Sequence, residues 1–140
     1  EKIKTIGDAY MAVCGAPNQC NNHAERTGLF ALEVSELMDN FIVDSVGQIS
    51  VRIGLHTGSV VAGIIGEVKF SYDMWGDAVN TASRMESHGE AGKIHVSEEF
   101  KHAVETVHAP SLRFIPRGEM EIKGKGMMKT YFLEKLSEQD

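Results

Sequence analysis

Residues Phe70–Ser87 read FSYDMWGDAVNTASRMES, and the organisation of the chain follows from this stretch. Its first half is aromatic and extended, as a strand requires. Trp75-Gly76 marks a turn. From Asp77 the pattern becomes helical, with Asp77 predicted as N-cap and Ala78, Ala82 and Met85 on the inner face. Three polar residues stand out. Asp73 lies between Tyr72 and Met74, and Asn80 and Arg84 are four positions apart, so they share one helix face. A carboxylate at a strand end, followed by an amide and a guanidinium, suits a small anionic ligand. A surface strand-turn-helix with a capping Asp accounts for the same residues without any ligand, and the stretch alone does not separate the two.

Upstream, Ser50–Ile65 (SVRIGLHTGSVVAGII) reads as two strands around a bend at Thr57-Gly58-Ser59. The HTG turn offers backbone N–H groups to a phosphate, or is simply a bend. Gly63 and Gly66 bracket an apolar run and suggest close backbone packing. Downstream, Gly89 and Gly92 end the helix, Ile94–Val96 is a short strand, and Ser97-Glu98-Glu99 begins a helix reaching about Thr106. Leu112–Leu133 reads as an antiparallel pair around Lys123–Gly126 (KGKG), a flexible basic tip able to reach phosphates as point charges, or a solvated turn. Glu134–Asp140 reads as a tail.

At the other end, Glu1–Gly15 (EKIKTIGDAYMAVCG) predicts a β-hairpin with Gly7-Asp8 at its tip. Asp8 is there either as a free carboxylate or as a good turn residue. Pro17 breaks the following loop. Asn22 with Glu25 predicts a capping box, and Phe30, Val34, Leu37 and Phe41 recur at helical spacing, so a helix over about 22–41 should turn this stripe to the core.

The 140 residues suit one domain or a large part of one, and 42% hydrophobic with 24% charged residues is ordinary for a globular core. A net charge of -6 argues against a nucleic-acid surface, which needs a basic patch. Cys14 and Cys20 form no CxxC, and a reduced cytoplasmic setting fits them better than a structural disulfide. No apolar run reaches the roughly 18 residues of a membrane span. The six histidines have no zinc spacing, and neither a P-loop nor GxSxG occurs. The chain opens on Glu1-Lys2 without Met or signal peptide, as a strand cut midway would.

Together, KTIGDAYM (Lys4–Met11), RIGLHTGSVVAGIIG (Arg52–Gly66), YDMWGDAVNTASRMES (Tyr72–Ser87) and KGKG resemble the class III nucleotidyl cyclase catalytic domain, the adenylate and guanylate cyclase family. The resemblance covers nearly the whole chain in the family's order. It implies an α/β (α+β) fold, a ferredoxin-like sandwich with an antiparallel-rich central sheet. It implies a head-to-tail homodimer with active sites at the interface. The implied reaction is attack of a ribose 3′-oxygen on the α-phosphorus of a nucleoside triphosphate, giving the 3′,5′-cyclic monophosphate and pyrophosphate, with two Mg2+ or Mn2+ ions assisting.

Residue by residue, the resemblance makes Asp8 a metal ligand and Lys4 and Asp73 the pair that reads the base. Lys donates to adenine N1 and Asp accepts from its amino group, whereas guanine presents the opposite pattern. Guanylate cyclases of the family usually carry Glu and Cys or Ser there, so ATP is the expected substrate. Asn80 is implied to orient the ribose, Arg84 to stabilise charge on the α-phosphate, and Lys123 to contact the β- and γ-phosphates. In the dimer, Asp8 of one chain would face the other five residues of its partner. One element departs from the pattern. The family's first metal-binding Asp lies in an F-x-D-x-x-G-F strand motif, which this chain does not contain. The expectation is therefore a partial domain over 1–140, lacking its N-terminal strand and following helices, incomplete at the metal site, inactive alone and open in its core. The longer protein is expected to carry regulatory domains and possible membrane attachment around a cytoplasmic catalytic domain. Guanylate cyclase and a silent nucleotide-binding or dimerisation domain are the alternatives.

Overall fold

The chain begins as a hairpin in which β1 (Lys2–Ile6) and β2 (Ala9–Ala12) pair antiparallel across the Gly7-Asp8 turn, with Ile6 opposite Ala9. The computed structural model describes residues 1–16, 18–65, 71–107 and 111–136. Pro17, Gly66, Phe70 and the end of the anticipated tail (137–140) lie outside the described residues. Helix α1 (His23–Asp39) leads to a minimal hairpin of β3 (Ile42–Val43) and β4 (Gly47–Gln48). Strand β5 (Ile53–Leu55) precedes a second hairpin, β6 (Val61–Ile65) and β7 (Ser71–Trp75), and helix α2 (Asp77–Ser87). Then come β8 (Ile94–Ser97), α3 (Glu98–Thr106), β9 (Leu112–Ile122) and β10 (Gly126–Lys135).

The fold is α+β with an antiparallel-rich sheet, as expected. Its main sheet has the order β5-β8-β10-β9, with β5 parallel to β8 and the other two pairings antiparallel. Among the described residues the hairpins β1–β2 and β6–β7 form separate two-stranded sheets, so β2 and β5 each have a single strand neighbour.

Strand β8 organises the layers because every residue of Ile94–Ser97 is buried. Alternation sends successive side chains to opposite faces. Ile94 and Val96 join Ala24, Ala31, Phe100, Val104, Leu112 and Leu133 in the core beneath α1 and α3. His95 faces α2, where its Nδ1–H donates to the Met85 carbonyl at 2.8 Å and its ring lies 5.6 Å from that of Phe132. Burial pushes the His95 imidazole below its ordinary pKa, keeping it neutral. Helix α2 approaches closely because β5 carries Gly54. A Cβ there would stand 2.0 Å from the Glu86 nitrogen and 2.5 Å from the Met85 carbonyl carbon.

Several local expectations are corrected. The stripe Phe30, Leu37 and Phe41 is not core: all three are exposed, and Val34 is only half-buried. The buried face of α1 is Ala24, Gly28 and Ala31. Small residues bring the helix down onto the sheet, where a Cβ at Gly28 would stand 3.3–3.6 Å from Leu133, Leu112 and Phe100. The helix ends at Asp39, where Asn40 N–H bonds to Leu37 O and Phe41 N–H to Met38 O in a tightened last turn. The predicted capping box is absent, since the Asn22 side chain accepts from Cys20 Sγ instead. Asp77 is the first helical residue and Gly76 the cap. Gly76 has φ 125° and ψ -177°, a region essentially restricted to glycine. Glu134 and Lys135 belong to β10 and not to a tail. The Ser97 cap forms as expected, its Oγ accepting from Phe100 N–H.

Gly54→Ala is expected to destabilise the chain by about 3 kcal/mol or more, because the clash is with helix backbone that cannot rotate away. Urea unfolding measures this, and an unchanged midpoint would remove Gly54 as the determinant of where α2 sits.

Candidate functional site

Lys4 and Asp73, 69 residues apart in sequence, meet directly, with Lys4 Nζ donating to Asp73 Oδ2 at 2.9 Å. The pairing joins the first hairpin to β7. Strand alternation places the residues for it: Lys4 lies on β1, opposite Met11, and Asp73 on β7, opposite Gly63. A Cβ at Gly63 would stand 3.4 Å from the Trp75 ring, so the indole of Trp75 lies over this position. Asp73 Oδ1 accepts from Met74 N–H at 2.7 Å. The hydrogen bond from Lys4, then that from Met74, holds the Asp73 carboxyl below its ordinary pKa. The side chain of Lys4 is 40% exposed and that of Asp73 16%, so the pair is reachable from solvent with donors and lone pairs to spare.

Helix α2 starts two residues after Trp75, the last residue of β7, so it carries Asn80 and Arg84 away from that strand end. Asn80 is exposed and Arg84 half-buried. Neither side chain makes a hydrogen bond or ion pair among the described residues. A guanidinium left without a carboxylate partner is available to an anionic group.

The β9–β10 tip folds back along α2. Lys125 Nζ bonds to Asp77 Oδ1 at the start of the helix. Lys123 N–H points to His88 Nε2, 3.4 Å away, past the helix end. The Lys123 side chain is exposed and has no side-chain partner among the described residues. Sequence reasoning read both lysines as one flexible basic tip and Asp77 as a cap. The Asp77–Lys125 tie was missed, and the signal available for it was an acidic residue in the first turn that does not cap.

The HTG turn is engaged internally. Thr57 Oγ1 is 2.7 Å from His23 Nε2, and His56 Nδ1 is 2.6 Å from Ser97 Oγ. Burial lowers the His56 pKa, partly offset by Glu99. These contacts brace the turn against α1 and the start of α3.

Asp8 stands apart from the other candidates. It is exposed at the hairpin tip, with no partner among the described residues. Its carboxylate is a suitable hard donor for a divalent cation. No group of three His, Cys, Asp or Glu residues that could hold a metal forms among the described residues. The described residues therefore do not by themselves fit a two-metal centre. None of the helices among the described residues is long and apolar enough to cross a membrane.

Comparison with known proteins places this geometry in context. The family described as "Adenylate and Guanylate cyclase catalytic domain" matches residues 1–135. Soluble guanylate cyclase gcy-35 of Caenorhabditis elegans is 49% identical over 138 residues, covering 96% of this chain and 20% of the relative, so the chain spans about a fifth of that protein. The guanylate cyclase domain of RhGC from Catenaria anguillulae, solved in complex with GTP, superposes with a TM-score of 0.89 at 40% identity, covering 97% of this chain and 72% of that one. The catalytic core of a rhodopsin-guanylyl cyclase with converted specificity, solved with ATPαS, superposes with a TM-score of 0.87 at 42% identity, covering 96% and 71%.

Because the folded-state pKa of Asp73 is lowered, its contribution to stability is present above the unfolded value of about 3.9 and is lost as pH falls through the folded value. The stability difference between the wild type and Asp73→Asn is therefore expected to shrink as pH is lowered from 6 to 3. Urea unfolding across that range checks the sign, and a difference that stays constant would contradict it.

Proposed function

The chain belongs to the adenylate and guanylate cyclase catalytic-domain family, and on that premise we propose that it serves a cyclase that takes ATP and forms 3′,5′-cyclic AMP and pyrophosphate. The observation that carries the choice of base is the Lys4–Asp73 pair, a cation and a carboxylate 2.9 Å apart, with Asp73 at the middle of β7. Adenine presents an acceptor at N1 and a donor at its amino group. Lys4 matches the first and Asp73 the second. Asp73 stays ionised near neutrality, so it accepts and cannot donate. Guanine in the same place would set its N1–H against the ammonium and its O6 against the carboxylate. The solved relative with converted specificity, bound to ATPαS, is a precedent for this scaffold taking an adenine nucleotide.

In this reading Asn80 orients the ribose and Arg84 neutralises charge that builds on the α-phosphate as the 3′-oxygen attacks. Lys123 contacts the β- and γ-phosphates, where pyrophosphate departs. Mg2+ or Mn2+ would supply charge neutralisation and a lowered hydroxyl pKa, with Asp8 giving one carboxylate and further ligands coming from outside this chain. Two copies would pair so that Asp8 of one faces the nucleotide pocket of the other. The exposed Ile6 and Tyr10 on the first hairpin and Val61, Ile64 and Trp75 on the second offer apolar surface for that pairing. The working domain is proposed to be longer than these 140 residues. The two superposed domains extend beyond the match, and β2 and β5 each have a free edge among the described residues. Guanylate cyclase is the second reading, favoured by the relatives, which are guanylate cyclases by name.

In the complete domain, Lys4→Glu with Asp73→Cys is expected to shift kcat/KM toward GTP by about tenfold or more, the cost of unpaired buried polar groups. Unchanged ATP selectivity would remove the pair from base reading. Arg84→Ala is expected to lower kcat about 10²–10³-fold while KM for ATP changes far less, since its partner charge develops in the transition state. Equal losses in binding and turnover would assign Arg84 to ground-state binding.

A further inference from the structure

Away from α2, the strap between β2 and α1 brings together the two cysteines of the chain. Both are free thiols and half-buried. Both line one cleft of about 330 Å3, together with Arg26, Asn18, Gln19 and Glu1. Cys20 Sγ accepts from Arg26 Nη1 at 3.4 Å and donates to Asn22 Oδ1 at 3.0 Å. Arg26 is fixed in the first turns of α1, where its own N–H bonds to the Asn22 carbonyl. The sulfur thus faces a guanidinium beside the positive end of a helix, the setting that favours thiolate over thiol. The Cys20 pKa is correspondingly lowered, first by Arg26 and then by Asn22, with the Cys14 side chain the weakest of its hydrogen-bond partners. Among the described residues Cys14 accepts no hydrogen bond from a guanidinium, while Arg26 bonds to Cys20.

We propose that Cys20 is a hydroperoxide-reactive thiol and Cys14 its resolving partner, together closing a reversible disulfide in the strap between β2 and α1. In the first step the Cys20 thiolate attacks a peroxide oxygen. An S–O bond forms, the O–O bond breaks, and the departing hydroxide takes up the proton that Cys20 released on ionising, leaving as water. In the second step the Cys14 sulfur attacks the Cys20 sulfenic acid. The S–S bond forms, the S–O bond breaks, and the departing hydroxide takes the Cys14 proton as water. The two thiols lose two electrons, and the peroxide gains them. This chemistry requires only the strap and α1, so it stands apart from any cyclase reaction.

The test treats the chain with hydrogen peroxide and follows it by mass spectrometry. The wild type is expected to lose two hydrogens within one chain and to regain them with dithiothreitol. Cys14→Ser with dimedone should trap the sulfenic acid at Cys20. Cys20→Ser should form no intrachain disulfide. Arg26→Gln should slow iodoacetamide alkylation of Cys20 near neutral pH by about tenfold and move its pH profile upward. A Cys20 that alkylates no faster than Cys14, a Cys14→Ser chain that traps no adduct, or oxidation that only links separate chains would each overturn the proposal.

Discussion

Helix α2 lies on β5 because position 54 has no side chain. The backbone of Met85 and Glu86 occupies the space a Cβ would need. Apart from Asp8, the residues proposed for catalysis on this chain are arranged relative to that contact. The helix presents Asn80 and Arg84, its first residue holds Lys125, and the strand before it holds Asp73. On the far side, β8 closes the arrangement through His95, neutral and bonded to the Met85 carbonyl. Small-residue packing recurs where α1 meets the sheet through Ala24, Gly28 and Ala31, so close backbone approach positions two of the three helices.

Two polar ties then fix the remaining segments to this frame. Lys4–Asp73 brings the first hairpin against β7, and Lys125–Asp77 brings the β9–β10 tip against α2. Both are partly exposed ion pairs, which contribute little to global stability and much to register and orientation. Each also spends one lysine or carboxylate where a purely structural chain would have no need of it. Lys123 and Arg84 carry charge without an ionic partner among the described residues, beside the tied pairs.

Much of this was legible in the sequence. The hairpin around Gly7-Asp8, the strand-turn-helix after Ser71 and the Ser97 cap all use local signals, and local signals decide local geometry. Lys4 and Asp73 could be paired only through the family resemblance, since nothing in spacing links positions 69 apart. The stripe of Phe30, Leu37 and Phe41 misled because amphipathic periodicity identifies an apolar face without saying which face meets the sheet. The small face won, being the one that lets helix and sheet approach. Asn22 and Asp77 misled because a side chain suited to capping can be taken by another partner, here Cys20 and Lys125.

Family membership is carried by the match over residues 1–135, whereas the base is argued from two side chains. The relatives compared are guanylate cyclases by name, one of them converted in specificity. The direct measurement is turnover of ATP and GTP side by side by the complete wild-type domain, with Mg2+ or Mn2+ present. The account predicts a kcat/KM for ATP at least about tenfold above that for GTP, the discrimination expected when a mismatched base leaves buried polar groups unpaired. Equal turnover of the two, or a preference for GTP, would contradict it.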